Sequence, residues 1–377
     1  MCGVKLAALA ILVAACGDNT TQPAWLDEAT ILVDGYEETN MDCRTGPCGH
    51  DENTDLTIFD GATYLVHRTA ESQVLGPNSS LRVYRSDDHG ATFDLLAIIP
   101  APTDRDLRDP CFYVIDGQLA LKAITRLPVT STRDSNVDSI TVNTISEDAG
   151  TTWSVLAPIG PPMWSFWRIR ADSDGTYYAA AYEDGDQAVS LFSSTDGQTW
   201  TMGASIYDVA IDTPLETELV FEPDRLVAFV RMDGTDDELL GNVGRLRTKV
   251  CTAIRPYSSF ECSNELDGVR LDGPVAFNFR GHLFMIARKH FIEPQDRKRT
   301  ALYEILENGT SFDWFEYGEF PSTGDTSYAG VAPIDDTRFV VTYYSSNLHE
   351  DGPWSRAILE QTDIWRATID LGGVSQR

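Results

Sequence analysis

The chain is poor in basic residues and in histidine, and it has one apolar run of any length. Its 377 residues carry 29 Lys and Arg against 58 Asp and Glu, a formal net charge of −29. Such a surface repels phosphate backbones and anionic lipid headgroups, which excludes nucleic acid as a partner and suits a protein that must stay in solution after export. The six histidines are scattered, and none stands at ligand spacing from a cysteine or another histidine, so zinc is not expected. No other metal or cofactor is expected either, with calcium left open. Gly (28) and Pro (18) are dispersed rather than clustered. No low-complexity linker therefore divides the chain, and repeated all-β units accommodate this length without a split.

The apolar run is Leu6 to Ala15, ten residues after Lys5, too short for a permanent bilayer span. It ends Leu12-Val-Ala-Ala-Cys16, which resembles a bacterial lipobox. The resemblance implies a signal peptide over 1–16 and lipidation of Cys16. Gly17, rather than Asp, after the cysteine implies the outer membrane or cell surface. The alternative is a secretory signal cut after Ala15. Of seven cysteines, Cys2 is then discarded and Cys16 acylated. In an oxidising compartment, Cys43 and Cys48 could close a small loop and Cys251 and Cys262 could staple neighbouring strands. Cys111 is left over and expected to be buried.

Two repeats run through the rest. Ser146-Glu-Asp-Ala-Gly-Thr-Thr-Trp153 reads Ser-x-Asp-x-Gly-x-Thr-Trp. Ser86-Asp-Asp-His-Gly-Ala-Thr-Phe93 repeats it with Phe for Trp, and Ser194-Thr-Asp-Gly-Gln-Thr-Trp200 with one residue deleted. Ser and Asp can bond backbone groups inside a tight turn, Gly supplies positive φ, and the aromatic packs beneath. A worn copy lies at Glu307-Asn-Gly-Thr-Ser-Phe312. Independently, six short turns separate apolar strands: Phe59-Asp-Gly-Ala62, Ile115-Asp-Gly-Gln118, Ser173-Asp-Gly-Thr176, Glu222-Pro-Asp-Arg225, Phe279-Arg-Gly-His282 and Ile334-Asp-Asp-Thr337. Their third residues are 56, 58, 49, 57 and 55 positions apart. A hairpin recurring at that interval, followed by a second strand pair, is the period of a four-stranded propeller blade. The fold class expected is all-β, a six-bladed β-propeller over 30–371, after a tether at 17–29 and before a tail at 372–377. The strand at 30–36 and the last strand, 364–371, are expected to share a blade and close the ring.

In such a ring the first strand of each blade lies nearest the axis. Stepping seven or eight residues back from each hairpin turn reaches Asp109, Arg168, Glu216 and Tyr328, with Asp55 six back. Stepping forward reaches Arg68, Glu183, Arg231, Arg288 and Tyr343. These residues are expected to line one cationic cup, and clustered guanidinium groups suit a carboxylate.

The repeats and this order of residues resemble the sialidase (neuraminidase) superfamily, six-bladed propellers with Asp boxes, over about residues 50–371. Glu216-Thr-Glu-Leu-Val-Phe followed by Val230-Arg231 is similar to the family segment in which a glutamate precedes an arginine of the carboxylate-binding triad. Gly324-Asp-Thr-Ser-Tyr328 is similar to the segment bearing the tyrosine nucleophile. The resemblance implies that Glu216 activates Tyr328 and that Arg231 grips a sugar carboxylate. The chain departs from the family where blade one opens. Asn53-Thr-Asp55 stands in place of Arg-Ile-Pro, and His67-Arg68 in place of the acid/base aspartate. Arg68 could supply the missing charge from a neighbouring position, and Asp55, Asp109 or Glu183 the proton. The third arginine is Arg288 or Arg299, with Arg288 favoured by its place at a strand end.

The function expected is an exported exo-glycosidase that cleaves terminal acidic sugars with retention. Its substrate would be a glycan or sialoside, its membrane contact a lipid anchor, and its state monomeric. A non-catalytic glycan-binding propeller, and a glycosidase of other specificity using the pocket carboxylates, remain as alternatives.

Overall fold

The computed structural model describes residues 23–374 except 39, 41, 75, 128–138, 184, 186–187, 235–240 and 242. The expected signal peptide, Cys16 and the end of the tail lie outside the described residues. Six four-stranded antiparallel sheets follow one another along the chain. The first strands, which line the axis, are His50–Phe59, Asp106–Ile115, Trp164–Ala171, Pro214–Phe221, Asp272–Phe279 and Thr326–Pro333. The second strands are Ala62–Ala70, Gln118–Arg126, Tyr177–Glu183, Arg225–Met232, His282–His290 and Arg338–Ser345. The sixth sheet is completed from the other end of the chain, where Leu26–Val33 pairs antiparallel with Asp363–Asp370. That strand begins at Leu26 rather than 30, because Trp25 and Leu26 are buried and anchor its start against the last blade.

Local chemistry explains the hairpins. Those of blades one, two and five have two-residue turns whose central residues both have positive φ: Asp60 and Gly61 at 48° and 77°, Asp116 and Gly117 at 48° and 76°, Arg280 and Gly281 at 50° and 85°. This is the type I′ geometry that matches strand twist. The blade-three turn is wider, closed by Asp172 N–H donating to the Thr176 carbonyl at 2.8 Å.

The core is divided among the seams between blades. Leu56, Leu65, Ala332 and Val340 fill the seam that joins blades six and one. Tyr113, Ala120, Phe166 and Ala179 fill the one between blades two and three, and Val275, Phe284, Phe339 and Val341 the one between five and six. The three Ser-x-Asp turns each reach back across the seam to the preceding blade. In the second, Ser146 Oγ accepts from Gly150 N–H at 2.7 Å, and Asp148 accepts from Thr152 N–H at 2.8 Å. Tyr64 of blade one then donates to the Ala149 carbonyl at 3.0 Å. Tyr113 of blade two donates likewise to Gly197 of the third turn, and Arg366 of blade six to Gly90 of the first, at 3.2 and 2.6 Å. Each turn therefore ties its blade to the preceding one. Disulfides join Cys43 to Cys48 and Cys251 to Cys262, and Cys111 is free and buried.

Candidate active site

Every first strand carries one extra residue relative to its partner. Asn53 and Thr54 lie between the paired positions Glu52↔Arg68 and Asp55↔Val66. Asp109 and Pro110, Trp167 and Arg168, Leu215 and Glu216, Gly273 and Pro274, and Tyr328 and Ala329 occupy the same place in blades two to six. A bulge leaves a residue unpaired, bends the strand and re-aims side chains. Six of them, one per blade at matched height, direct six short segments at the axis. Several are left-handed: Asn53, Asp109, Gly273 and Tyr328 have φ of 55°, 48°, 56° and 49°, and Ser327 has 104°. For a tyrosine this is a strained backbone of the kind concentrated at functional sites.

Tyr328 is the centre of the resulting cluster. Its hydroxyl donates to Glu216 Oε1 at 2.6 Å. Glu216 Oε2 accepts from Arg231 Nη1 and from Gly273 N–H, both at 2.9 Å. Arg231 Nη1 also donates to the tyrosine oxygen at 3.3 Å. The Arg288 guanidinium lies 4.9 Å from the ring centroid, and Trp167 meets the ring edge-on at 5.7 Å. Burial and the Glu216 charge push the phenol well above its usual pKa, against the opposing pull of Arg288 and Arg231. The hydroxyl is therefore neutral and holds its proton for Glu216. Gly273 is required on two counts, since a Cβ there would sit 2.8 Å from the Tyr328 ring and its φ is positive.

Beside Tyr328 is a small recess of about 10 Å³, lined by Asn53, Thr54, Asp109, Pro110, Cys111, Trp167, Arg168 and Tyr328. Asp109 accepts from Asn53 Nδ2 at 2.6 Å. Burial raises its pKa to about 6, with Glu216 adding to the rise and Lys122 opposing it. Burial in turn lowers Lys122 to about 8, and its ammonium donates to the Asp109 carbonyl at 2.7 Å.

Arg168 forms the floor. It donates to Asp55 Oδ1 at 2.5 Å, to the Ala329 carbonyl at 2.8 Å and to the Pro274 carbonyl at 3.3 Å. It thereby binds blades one, three, five and six across the axis. Asp55 Oδ2 accepts from Phe112 N–H at 2.8 Å, so this carboxylate is committed to structure and not placed to donate a proton.

The other residues expected in the cup separate into two groups. Arg231 and Arg288 meet at Tyr328. Arg68 is fully buried and saturated, donating to Asp106 at 2.7 and 2.8 Å, to Glu52 at 2.5 Å and to the Ser72 carbonyl. Arg299 lies away from the axis, bonded to Asp351 at 2.9 and 3.1 Å. Glu183 ends its strand at the rim, half-buried, its N–H on the Ala188 carbonyl. Tyr343 is packed in the seam of blades five and six, its hydroxyl on the Pro321 carbonyl. Strand alternation turns its neighbour Tyr344 inward instead, where it hydrogen-bonds Arg288 at 2.8 Å and Asp325 at 3.0 Å. The cup is also not simply cationic. Arg231 is met by Asp233 at 2.6 Å and Asp272 at 3.2 Å besides Glu216, and Arg288 by Asp325 at 3.2 Å.

Sequence reading did not single out Gly273, Asp233, Asp272 or Asp325. The run Leu271-Asp-Gly-Pro-Val275 carried the only signal for the first, a turn dipeptide inside an apolar strand, which marks a bulge.

No family model matches the sequence, and no curated protein does. Solved structures resemble it in shape at low identity. An intramolecular trans-sialidase from Ruminococcus gnavus, in complex with oseltamivir carboxylate, is 12% identical with a TM-score of 0.64, over 87% of this chain and 96% of that one. The Hadza microbial sialidase Hz136 is 16% identical with a TM-score of 0.60, over 86% of this chain and 66% of its own length. A protein of unknown function from Dyadobacter fermentans is 15% identical with a TM-score of 0.62, over 93% and 98%. The chain therefore has the six-bladed β-propeller fold that sialidases and trans-sialidases share.

Proposed function

We propose that this propeller is a sialidase-like exo-glycosidase that removes terminal acidic sugars from glycans, with Tyr328 as nucleophile and Glu216 as its base. The observation that carries the reading is the bond from a neutral, strained Tyr328 to Glu216 at 2.6 Å, with Arg231 on the same hydroxyl. A phenol relieved of its proton as it attacks avoids the repulsion that a carboxylate nucleophile would meet beside an anionic sugar. Tyr328 Oη bonds the anomeric carbon as its proton passes to Glu216. The leaving oxygen takes a proton from Asp109, held protonated in part by its pKa of about 6. Water, losing a proton to Asp109, then cleaves the tyrosyl–sugar bond, and Glu216 returns the proton to Tyr328. Two displacements retain configuration.

Arg231 and Arg288 supply the positive charge nearest the phenol. Asp233, partly exposed beside Arg231, is the partner that a substrate carboxylate would displace. Export and a lipid anchor at Cys16 complete the proposal. The test is release of sugar from α-linked sialosides and other anionic glycosides by the purified chain, and its loss in Tyr328→Phe. No release from any member of the panel sinks the reading.

One observation favours a second reading. Each arginine at the axis already has an acidic partner, and Arg68 stands where the resemblance expects a proton-donating aspartate. A glycan-binding propeller without catalysis fits those facts. Tight binding of an unhydrolysed acidic glycan, abolished by Arg231→Ala and retained in Tyr328→Phe, would establish it.

A further inference from the structure

The seam where the ring closes contains a cluster that the sugar chemistry does not use. His50 and Glu52 begin the first strand of blade one, and Asp325 immediately precedes that of blade six. All three are buried, and His50 Nε2, Glu52 Oε2 and Asp325 Oδ2 converge within 4.8 Å of one another. His50 Nδ1 is 2.6 Å from the Glu360 carbonyl. A carbonyl only accepts, so Nδ1 carries the proton and Nε2 turns its lone pair toward the two carboxylates. It stands 3.4 Å from Glu52 Oε2 and 3.6 Å from Asp325 Oδ2. Asp325 Oδ2 has no hydrogen-bond partner although it is fully buried.

Three acceptors facing one another in a buried site repel, unless something positive lies between them. A proton on Nε2 would draw a carboxylate in to about 2.7–2.9 Å, and neither is that close. An ion about 2.0–2.2 Å from nitrogen and oxygen ligands sets edges of about 3.3–3.6 Å in a tetrahedron, which is the spacing from His50 Nε2 to each carboxylate oxygen. The remaining atom of each group is held from outside, as ligands are in metal sites. Glu52 Oε1 is fixed by Arg68 at 2.5 Å. Asp325 Oδ1 is fixed by Arg288, Tyr344 and Trp354 at 3.2, 3.0 and 2.9 Å.

We propose that His50, Glu52 and Asp325 bind a divalent transition metal of the zinc class, which rivets blade six to blade one and sets the position of Arg288 through Asp325. An imidazole nitrogen with two carboxylate oxygens selects such an ion over Mg²⁺ and Ca²⁺, which prefer all-oxygen shells. The sequence carried no Cys/His spacing for it, because two of the three ligands are acids and the third residue is 273 positions further on. The inference is independent of the glycosidase reading.

The test uses the full chain, equilibrated with Zn²⁺, dialysed against metal-free buffer and assayed by elemental mass spectrometry. Thermal unfolding is followed across buffered free Zn²⁺, and Co²⁺ is substituted to read the ligand field. Expected are about one retained zinc per chain, a Tm that rises with free zinc by linkage, and a cobalt spectrum of low coordination number. All three are lost in His50→Ala and kept in His282→Ala, whose histidine pairs with Glu304 in blade five. Less than a tenth of an equivalent retained, with a zinc-independent Tm, overturns the proposal. So does zinc whose amount is unchanged in His50→Ala, which would mark binding to surface acids. Should His50→Ala fail to fold, the wild-type stoichiometry and cobalt spectrum decide.

Discussion

The Ser-x-Asp turns at the rim recur in three blades and the bulges at the axis in all six, yet they are stabilised in opposite ways. A rim turn satisfies itself within five residues. Ser146, Asp148, Gly150 and Thr152 bond one another, and the outward carbonyl of Ala149 accepts from Tyr64 of the preceding blade. An axial bulge draws on its partner strand and on residues more than fifty positions away: Arg168 on Asp55 and Ala329, Glu216 on Gly273 and Tyr328. Local bonding repeats as sequence, whereas distant bonding repeats only as geometry. Each bulge segment has a different composition because each does a different job in one shared space.

The largest effect should come from the axis. Tyr328→Phe is expected to lower kcat/KM on the best substrate by about 10³-fold or more while leaving Tm within a few degrees. Glu216→Gln is expected to cost about 10²–10⁴-fold, the usual range for a general base. A Tyr328→Phe protein with full activity would remove the phenol from the chemistry and leave the bulges as packing devices.

Next is Arg168→Met. It removes the cation that Asp55 faces in a buried site, which costs about 3–5 kcal/mol when one partner of such a pair is deleted. Urea unfolding should report it as a lower midpoint at unchanged slope. Adding Asp55→Asn should recover part of the loss, because a neutral amide oxygen still accepts from Phe112 N–H. Equal stability of Arg168→Met and wild type would mean that the axis is held by the seams alone.

This contrast explains what the sequence disclosed. Six blades, the turn positions and the closing of the ring rest on short-range patterns, namely Asp-Gly turns and alternating strands, and were readable. Counting back from the turns reached Glu216 and Tyr328 because every first strand carries its bulge at a similar distance from its turn. The same count forward assigned Tyr343 to the axis, although the strand's two-residue period turns Tyr344 there. The acids that neutralise the arginines were hidden for another reason. Asp272 opens its strand and Asp325 immediately precedes its own, where nothing in spacing separates a buried partner from a surface acid.

Asp109 sharpens the comparison, since here the axis sacrifices stability. Its folded pKa of about 6 lies above the usual carboxylate value near 3.9. The folded state thus holds a proton that the unfolded state has released, and stability falls as pH rises from about 4 to 6. Asp109→Asn should therefore be more stable than wild type at pH 7–8, by up to about 3 kcal/mol, and equal to it near pH 4. Asparagine also tolerates the left-handed backbone at this position. If Asp109 donates the proton, wild-type kcat/KM should fall as pH rises through about 6, and the variant should lose activity throughout. A variant less stable at pH 8 than at pH 4, relative to wild type, would show that the carboxylate is ionised without strain.

The smallest effect should come from the rim. Ser146→Ala leaves Gly150 N–H without its acceptor at a buried position, an expected cost of about 1 kcal/mol. In a chain of this size that lowers Tm by about 1–2 °C. Activity should not change, because the turn bonds blade two to Tyr64 of blade one and touches none of the axial residues. A loss of activity larger than the loss of stability would mean that strain at the seam is transmitted along the strand to the bulge at Asp109. The separation between a self-contained rim and a cooperative axis would then fail at the one blade where both carry a committed aspartate.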